Sequence, residues 1–352
     1  MKPKYLISKA KQHLKSGTLL NTTAQRVFST EPFTKAVNSR PYNLVYGKIV
    51  SKKARKFSED PLKPCISVNI ETTNLCNARC VFCLRETMTR KEGFMDAGLF
   101  REIVDKIKES KLNVGVVDLN GFGEPLLDPL IAERIKYVKE KLGCRIIFFT
   151  NAALLTPEKS EEIIKSGLDE MNISFNGVTE EDYEKTMVNL KFKSVERNII
   201  NFMKKRREMG ATKPYVYMSC VYANKDFHKK EFIKKWRNVV DSIFIMPAEK
   251  WGSLESEDIP YEKLPYSPKE WPCKRLWMNL WIACNGDVHI CCKDYNASTV
   301  MGNIRESSLM DIWQGEKFKK FRELHAQSKF DKIPICKGCG ALVRNSVMWW
   351  TG

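Results

Sequence analysis

The 352-residue sequence has no apolar run near the roughly 20 residues that crossing a bilayer requires, which argues against a membrane-spanning protein. Its opening, MKPKYLISKAKQHLKS, lacks the apolar core and small-residue cleavage site of a secretory signal, so a cytoplasmic location is expected. Histidine is scarce: His13, His228, His289 and His325 are the whole supply, which disfavours a histidine-based hydrolase. The first 30 residues contain no acid, and the chain shows neither an internal repeat nor a low-complexity tract.

What is present describes a soluble globular protein of about two domains, with 43% hydrophobic and 29% charged residues. The formal net charge of +17 is concentrated in residues 1–63, where 14 Lys and Arg meet only Glu31, Glu59 and Asp60. Leu6, Ala10 and Leu14 share one helical face there, with Lys4, Lys9, Lys11 and Lys15 elsewhere. That segment suits peripheral contact with the anionic inner surface of a membrane. A solvated basic helix packed on the main domain is the competing reading. A mitochondrial transit peptide fits less well, because the charge is mostly Lys.

From residue 64 to 250, β-rich runs alternate with amphipathic helical stretches. The runs are CISVNIETT (65–73), VGVVDLN (114–120), RIIFFTN (145–151), EMNISFN (170–176), YVYMSCVY (215–222) and SIFIMP (242–247). DAGLFREIVDKIKESK and TPEKSEEIIKSG read as intervening helices, the second ending at Gly167 as a C-cap. Six strands separated by helices predict βαβ units and a parallel sheet. Residues 251–270 are rich in proline and read as a linker or lid. Within 271–345, WIACNGDVHICC carries an Asn285-Gly286 hairpin signal, followed by a helix. An aromatic tail occupies 346–352, and residues 1–63 form a basic N-terminal extension.

Twelve cysteines in a reducing compartment point to metal ligation rather than disulfides. Cys76, Cys80 and Cys83 stand at C-x3-C-x2-C spacing just after the first predicted strand. Three thiolates can ligate three irons of a 4Fe-4S cube and leave the fourth open. Zinc sites usually take two CxxC pairs and fit this spacing poorly.

With Phe82 between the last two cysteines, this stretch resembles the signature of radical S-adenosyl-L-methionine (SAM) enzymes. The resemblance implies an α/β fold, a partial (β/α)6 barrel, and a cluster whose open iron binds SAM and cleaves it to a 5'-deoxyadenosyl radical. GFGEP (121–125) is similar to the family's GGEP motif, implying that Gly121, Gly123, Glu124 and Pro125 hold the methionine amino group of SAM. The same resemblance assigns Asn151 and Ser174, at the ends of the third and fourth strands, to SAM. Asn176 stands where the family usually has an acid, and Thr150 precedes Asn151.

Cys273, Gly286 and Cys291 form a C-x12-G-x4-C pattern, and Cys336 and Cys339 add a CxxC. This resembles the SPASM or twitch extension of the family, a small α+β domain. It implies one auxiliary 4Fe-4S cluster ligated by Cys273, Cys291, Cys336 and Cys339, for two clusters in all. A zinc ribbon remains open at this point, since four thiolates suit zinc equally well. Cys292 is an alternative ligand to Cys291. Cys65, Cys144, Cys220 and Cys284 read as buried small hydrophobes, although Cys220 could face the barrel.

The resemblance implies hydrogen abstraction from an unactivated carbon, by a dehydrogenase or epimerase acting on a sugar, cyclitol or lipid-linked substrate. Cys220 and Cys292 are the hydrogen-donor candidates for epimerisation. Radical modification of a peptide or a membrane lipid is the alternative within the family. A zinc-binding nucleic-acid module is the alternative outside it, but that leaves GFGEP unexplained, so no nucleic-acid partner is expected. A ferredoxin or flavodoxin is the expected electron donor, consistent with the basic charge.

Overall fold

The computed structural model describes residues 40–60, 62–222, 227–248, 272–337 and 339. The basic segment 1–39, the proline-rich stretch 251–270 and the aromatic tail 346–352 lie outside the described residues.

Helix α1 (Arg40–Glu59) precedes strand β1 (Ile66–Ile70) and a two-residue β2 (Arg79–Cys80). Helix and strand then alternate: α2 (Ala97–Glu109) and β3 (Val114–Asp118), α3 (Ile131–Leu142) and β4 (Arg145–Thr150), α4 (Pro157–Lys165) and β5 (Glu170–Ser174). A short α5 (Glu180–Thr186) and β6 (Met187–Val188) lead to α6 (Phe192–Glu208), β7 (Tyr215–Tyr222), α7 (Lys229–Trp236) and β8 (Ser242–Pro247). The C-terminal part holds α8 (Arg275–Met278), β9 (Asn279–Ile282), β10 (Asp287–His289), β11 (Gly302–Asn303), α9 (Leu309–Trp313) and α10 (Glu316–Ala326).

Local chemistry accounts for these elements. Asp96 caps α2 by accepting from the Leu99 N–H at 2.9 Å. The helix buries Leu99, Phe100, Ile103, Val104 and Ile107, which the 3.6-residue period places on one face. Thr156 caps α4, Pro157 opens it, and Gly167 follows its end at φ +90°.

Strands β1, β3, β4, β5, β7 and β8 pair in parallel and in chain order. This is the open, partial (β/α)6 barrel that the family resemblance implies: among the described residues β8 ends the sheet, and the free edge of β1 is taken by another strand. Along β4, Ile146 and Phe148 are fully buried while Ile147 and Phe149 are half-buried, so one face is packed and the other is more open.

The C-terminal part extends this sheet. Strand β9 pairs in parallel with β1, matching Val68 to Leu280 and Ile70 to Ile282. Strands β10 and β11 add antiparallel to it, giving nine strands in one sheet among the described residues. Helix α1 packs on α8 and α10, burying Val50 and Ala54, and Ser58 accepts from the Trp277 indole at 2.8 Å. No helix among the described residues is long and apolar enough to cross a membrane.

Candidate active site

The chain leaves β1 through four buried polar residues, Glu71, Thr72, Thr73 and Asn74. Thr73 donates to the Gly93 carbonyl at 2.9 Å, and Asn74 accepts from the Gly93 N–H at 2.8 Å, pinning the base of the cysteine loop. Strand β2 pairs with β6, so Cys80 faces Met187, with 3.4 Å between the two sulfurs. The Cys83 N–H donates to the Cys80 carbonyl at 2.9 Å and folds the loop back on itself. Cys76, Cys80, Phe82 and Cys83 are all half-buried. Burial pushes the Cys76 thiol up to about 11, with the charges of Glu124 and Cys83 adding to it. Cys80 is raised first by burial and then by Cys83 and Cys76, and Cys83 is raised by burial.

The GFGEP segment lies directly on this loop. A Cβ on Gly123 would sit 2.4 Å from the Thr73 carbonyl oxygen and 2.5 Å from that of Leu75, so only glycine allows the approach. The Glu124 N–H donates to the Leu75 carbonyl at 2.7 Å. Glu124 is buried, and its carboxylate accepts from Thr150 Oγ1 at 2.6 Å, the Asn151 N–H at 2.8 Å and the Leu126 N–H at 3.1 Å. Burial raises it to about 7 despite these bonds. Pro125 is buried at the start of a 3-10 turn. Asn151 donates to Asn77 Oδ1 at 2.8 Å, tying the end of β4 to the cysteine loop. Ser174 ends β5, half-buried and in register with Ser219 of β7. Asn176 accepts from the Val221 N–H at 2.7 Å and reaches Met187 Sδ at 3.0 Å.

One feature of the site had no sequence signal. Glu71, 3% exposed, forms a bidentate ion pair with Arg90. The same carboxylate accepts from the Phe122 N–H at 3.1 Å and the Cys284 N–H at 3.2 Å. A single buried anion therefore joins β1, the GFGEP segment and the C-terminal hairpin.

Cys273, Cys291, Cys336 and Cys339, brought from a stretch of 67 residues, line one cavity with Arg275 and His325. The Cys339 N–H donates to the Cys336 carbonyl at 3.2 Å. The Cys273 N–H donates to His325 Nδ1 at 3.2 Å. Burial raises Cys291 and Cys336, and neighbouring thiols raise them further. The charge of Cys292, ahead of those of Cys273, Cys291 and Cys339, raises Arg275.

Two family models match: the radical SAM superfamily over residues 70–218 and an iron-sulfur cluster-binding domain, SPASM, over residues 273–340. The chain carries a radical SAM domain and a SPASM domain. Its relatives include the tungsten-containing aldehyde ferredoxin oxidoreductase cofactor-modifying protein of Pyrococcus furiosus, 25% identical over 77% of this chain and 86% of that one. The S-adenosyl-L-methionine-dependent 2-deoxy-scyllo-inosamine dehydrogenase of Niallia circulans is 23% identical over 77% of this chain and 91% of that one. The crystal structure of Streptococcus suis SuiB bound to S-adenosylmethionine shares the fold at TM-score 0.61 and 15% identity, covering 97% of this chain and 89% of that one.

As a radical SAM enzyme with a SPASM domain, the protein uses SAM and iron-sulfur clusters, and its side chains fit them. Near the cysteine loop, Arg85 is the cation that lowers the thiol pKa of Cys76 and Cys83, while burial and neighbouring anions raise it. A cationic cluster relieves that repulsion. Glu124 has three of about four acceptor positions taken, leaving one for a further donor such as an ammonium. A zinc ion needs its sulfurs about 2.3 Å from one centre. Among the described residues no three Cys, His, Asp or Glu side chains are grouped as a single metal ion requires.

The expected burial is borne out at Cys220 and corrected at Cys65, Cys144 and Cys284. Cys220 does not face the barrel interior: it is fully buried in the core, on the packed face of β7 with Val216 and Met218. Cys65 is exposed rather than buried, because it precedes β1 at the surface. Cys144 and Cys284 are only half-buried, Cys144 just before β4 and Cys284 in the β9–β10 turn.

Proposed function

We propose that this radical SAM enzyme oxidises a hydroxyl-bearing carbon of a small polar molecule of the sugar or cyclitol kind. One observation carries the reading: three thiols gather at the C-terminal edge of β1, and four more line a cavity beside β9 and β10 of the same sheet. We assign Cys76, Cys80 and Cys83 to the 4Fe-4S cluster that keeps an open iron, and Cys273, Cys291, Cys336 and Cys339 to a fully ligated auxiliary 4Fe-4S cluster. When bound, SAM and the two clusters supply hydrogen-atom removal from carbon at the first site and one-electron acceptance at the second. The protein's part is to hold and orient. Glu124, Asn151 and Ser174 hold polar groups of SAM, while Phe82, Gly121, Gly123 and Pro125 shape the wall around it.

Oxidation is favoured over epimerisation because Cys220 sits in the core and Cys292 lies beside Arg275, leaving neither assigned as a hydrogen donor. The likeness to a 2-deoxy-scyllo-inosamine dehydrogenase supports the same choice. Residues 64–250 are then the catalytic barrel and 271–345 the auxiliary-cluster domain. An acidic ferredoxin or flavodoxin suits a chain of formal charge +17 as electron donor.

Anaerobic iron and sulfide quantitation with EPR tests the reading. About eight irons per chain are expected, falling to about four when Cys76, Cys80 and Cys83 are replaced by Ala, with a SAM-sensitive signal only in the wild type. Zinc in place of iron, or no loss in the triple variant, overturns it.

A further inference from the structure

Four side chains on the more open face of the sheet form a row that the assignments above leave unused. Register places His289 of β10 beside Trp281 of β9, Trp281 beside Asn69 of β1, and Asn69 beside Asp118 of β3. The opposite face at these strands carries Val68, Ile70, Val117, Leu280 and Ile282, all within the apolar core. Each member of the row is more than nine-tenths buried. Each also has a polar atom without a hydrogen-bond partner: His289 Nδ1, Trp281 Nε1, Asn69 Oδ1 and Asp118 Oδ1. The one bond within the row runs from Asn69 Nδ2 to Asp118 Oδ2 at 2.8 Å.

Buried polar groups are normally satisfied, so four adjacent unsatisfied atoms call for an occupant. Its chemistry follows from the atoms. Trp281 Nε1 only donates, and Asn69 Oδ1 only accepts. Asp118 is raised to about 8 by burial, so at neutral pH it is mainly a protonated acid able to donate. A hydroxyl group both donates and accepts, and so answers all of them. The row itself contains no Lys or Arg, the nearby Arg90 is already paired with Glu71, and the buried Asp294 carboxylate stands 4.0 Å from His289 Nδ1, all of which disfavours an anionic ligand. Neighbouring strands stand about 4.8 Å apart, so one small molecule reaches several members at once.

The row's place fits a substrate. Asn69 lies two residues, about 7 Å of strand, below Glu71, which holds the Phe122 N–H of the GFGEP segment. At the other end His289 is two residues from Cys291. The row thus runs from beneath the GFGEP segment to the auxiliary thiol cavity, with Asp118 inside the radical SAM match, Asn69 one residue before it, and Trp281 and His289 inside the SPASM match.

We propose that His289, Trp281, Asn69 and Asp118 form the recognition floor for a small neutral polyhydroxylated substrate, whose hydroxyls complete their unpaired atoms. This deepens the proposed function and rests on it for the substrate role, though the binding itself does not require the clusters.

The test uses full-length, anaerobically reconstituted protein and ligand-observed NMR titrations with erythritol, xylitol, glucose and myo-inositol, against gluconate and cyclohexanol as comparators. Saturable binding of at least one neutral polyol is expected. It should weaken ten-fold or more in Trp281→Phe, which keeps the ring without the donor, and in Asp118→Leu, which removes both the donor and the acceptor. Hydrogen–deuterium exchange of wild-type segments 66–70 and 279–282, slowed by the polyol, gives a second readout that needs no variant. No saturable binding, equal affinity in correctly folded variants, or a preference for gluconate overturns the proposal even if iron and the SAM-sensitive signal are intact. Variant-sensitive polyol binding in a protein without that signal sustains the proposal and sinks the radical reading alone.

Discussion

Arg90 clamps Glu71 through both terminal guanidinium nitrogens, at 2.7 and 2.9 Å, while its Nε donates to the Tyr295 carbonyl at 2.7 Å. The pair is almost fully buried, so its value lies in what breaking it leaves behind. Arg90→Met strands the Glu71 carboxylate and should cost about 3–5 kcal/mol, read by denaturant unfolding. Because Glu71 also holds Phe122 and Cys284, iron content should fall at both cluster sites. The double variant Glu71→Gln with Arg90→Met should recover part of the stability. A surface-like cost below about 1 kcal/mol in the single variant would show the pair is not a structural hub.

Gly123 and Gly93 offer a contrast within one site. An added Cβ at Gly123 meets two backbone carbonyl oxygens, which cannot move aside, whereas at Gly93 it meets nothing within 4 Å. Gly123→Ala should destabilise by about 3 kcal/mol and displace the cysteine loop. Gly93→Ala should be nearly neutral. Melting temperatures and iron per chain distinguish the two.

Adjacent Cys291 and Cys292 should separate cleanly. Cys291 lines the auxiliary cavity, while Cys292 is the leading charge on Arg275. Cys291→Ser should remove about four irons per chain, and Cys292→Ser should retain them. The reverse result would exchange their roles.

Glu124 carries a pH signature. Its carboxyl is raised to about 7, chiefly by burial, so it is largely neutral below that pH and ionised above it. A cationic amino group binds the ionised form. SAM affinity should therefore rise as pH passes upward through about 7 and level off beyond it. Glu124→Gln should bind at least ten-fold more weakly with a flat profile, as isothermal titration across pH 6 to 8.5 can establish.

His325 works in the opposite sense. Burial lowers it to about 4 from an ordinary value of 6.5, so the unfolded chain takes up a proton before the folded one does. Stability is then full above 6.5 and is lost as pH falls from 6.5 toward 4, by up to about 3 kcal/mol. His325→Gln should remove that slope from thermal melts, although it also loses the imidazole that accepts from the Cys273 N–H.

What could be read from the sequence was local. The three-cysteine spacing, the GFGEP segment, the alternating runs of β1 to β8 and the turns at Gly167 and Gly286 depend on near neighbours along the backbone. Gly167 and Gly286 indeed take φ of +90° and +91°. The parallel sheet followed from the number and order of strands, and its reading as a partial barrel from the family resemblance. The burial of individual cysteines did not, because whether a thiol faces core or solvent depends on where strands begin, on strand parity and on what packs above: Cys220 lies on the packed face of β7, whereas Cys65 precedes β1 at the surface.

The sequence by itself determined the chemistry this chain can host: three thiols with an open partner position, four more able to close a second site, and six strands to carry them. Only the tertiary structure decided how these parts meet. It placed β9 on the edge of β1, set Glu71 against Arg90 from 19 residues away, and aligned His289, Trp281, Asn69 and Asp118 across four strands. Those relationships arise from strand register and burial between distant segments, and nothing in a residue's immediate neighbours encodes them.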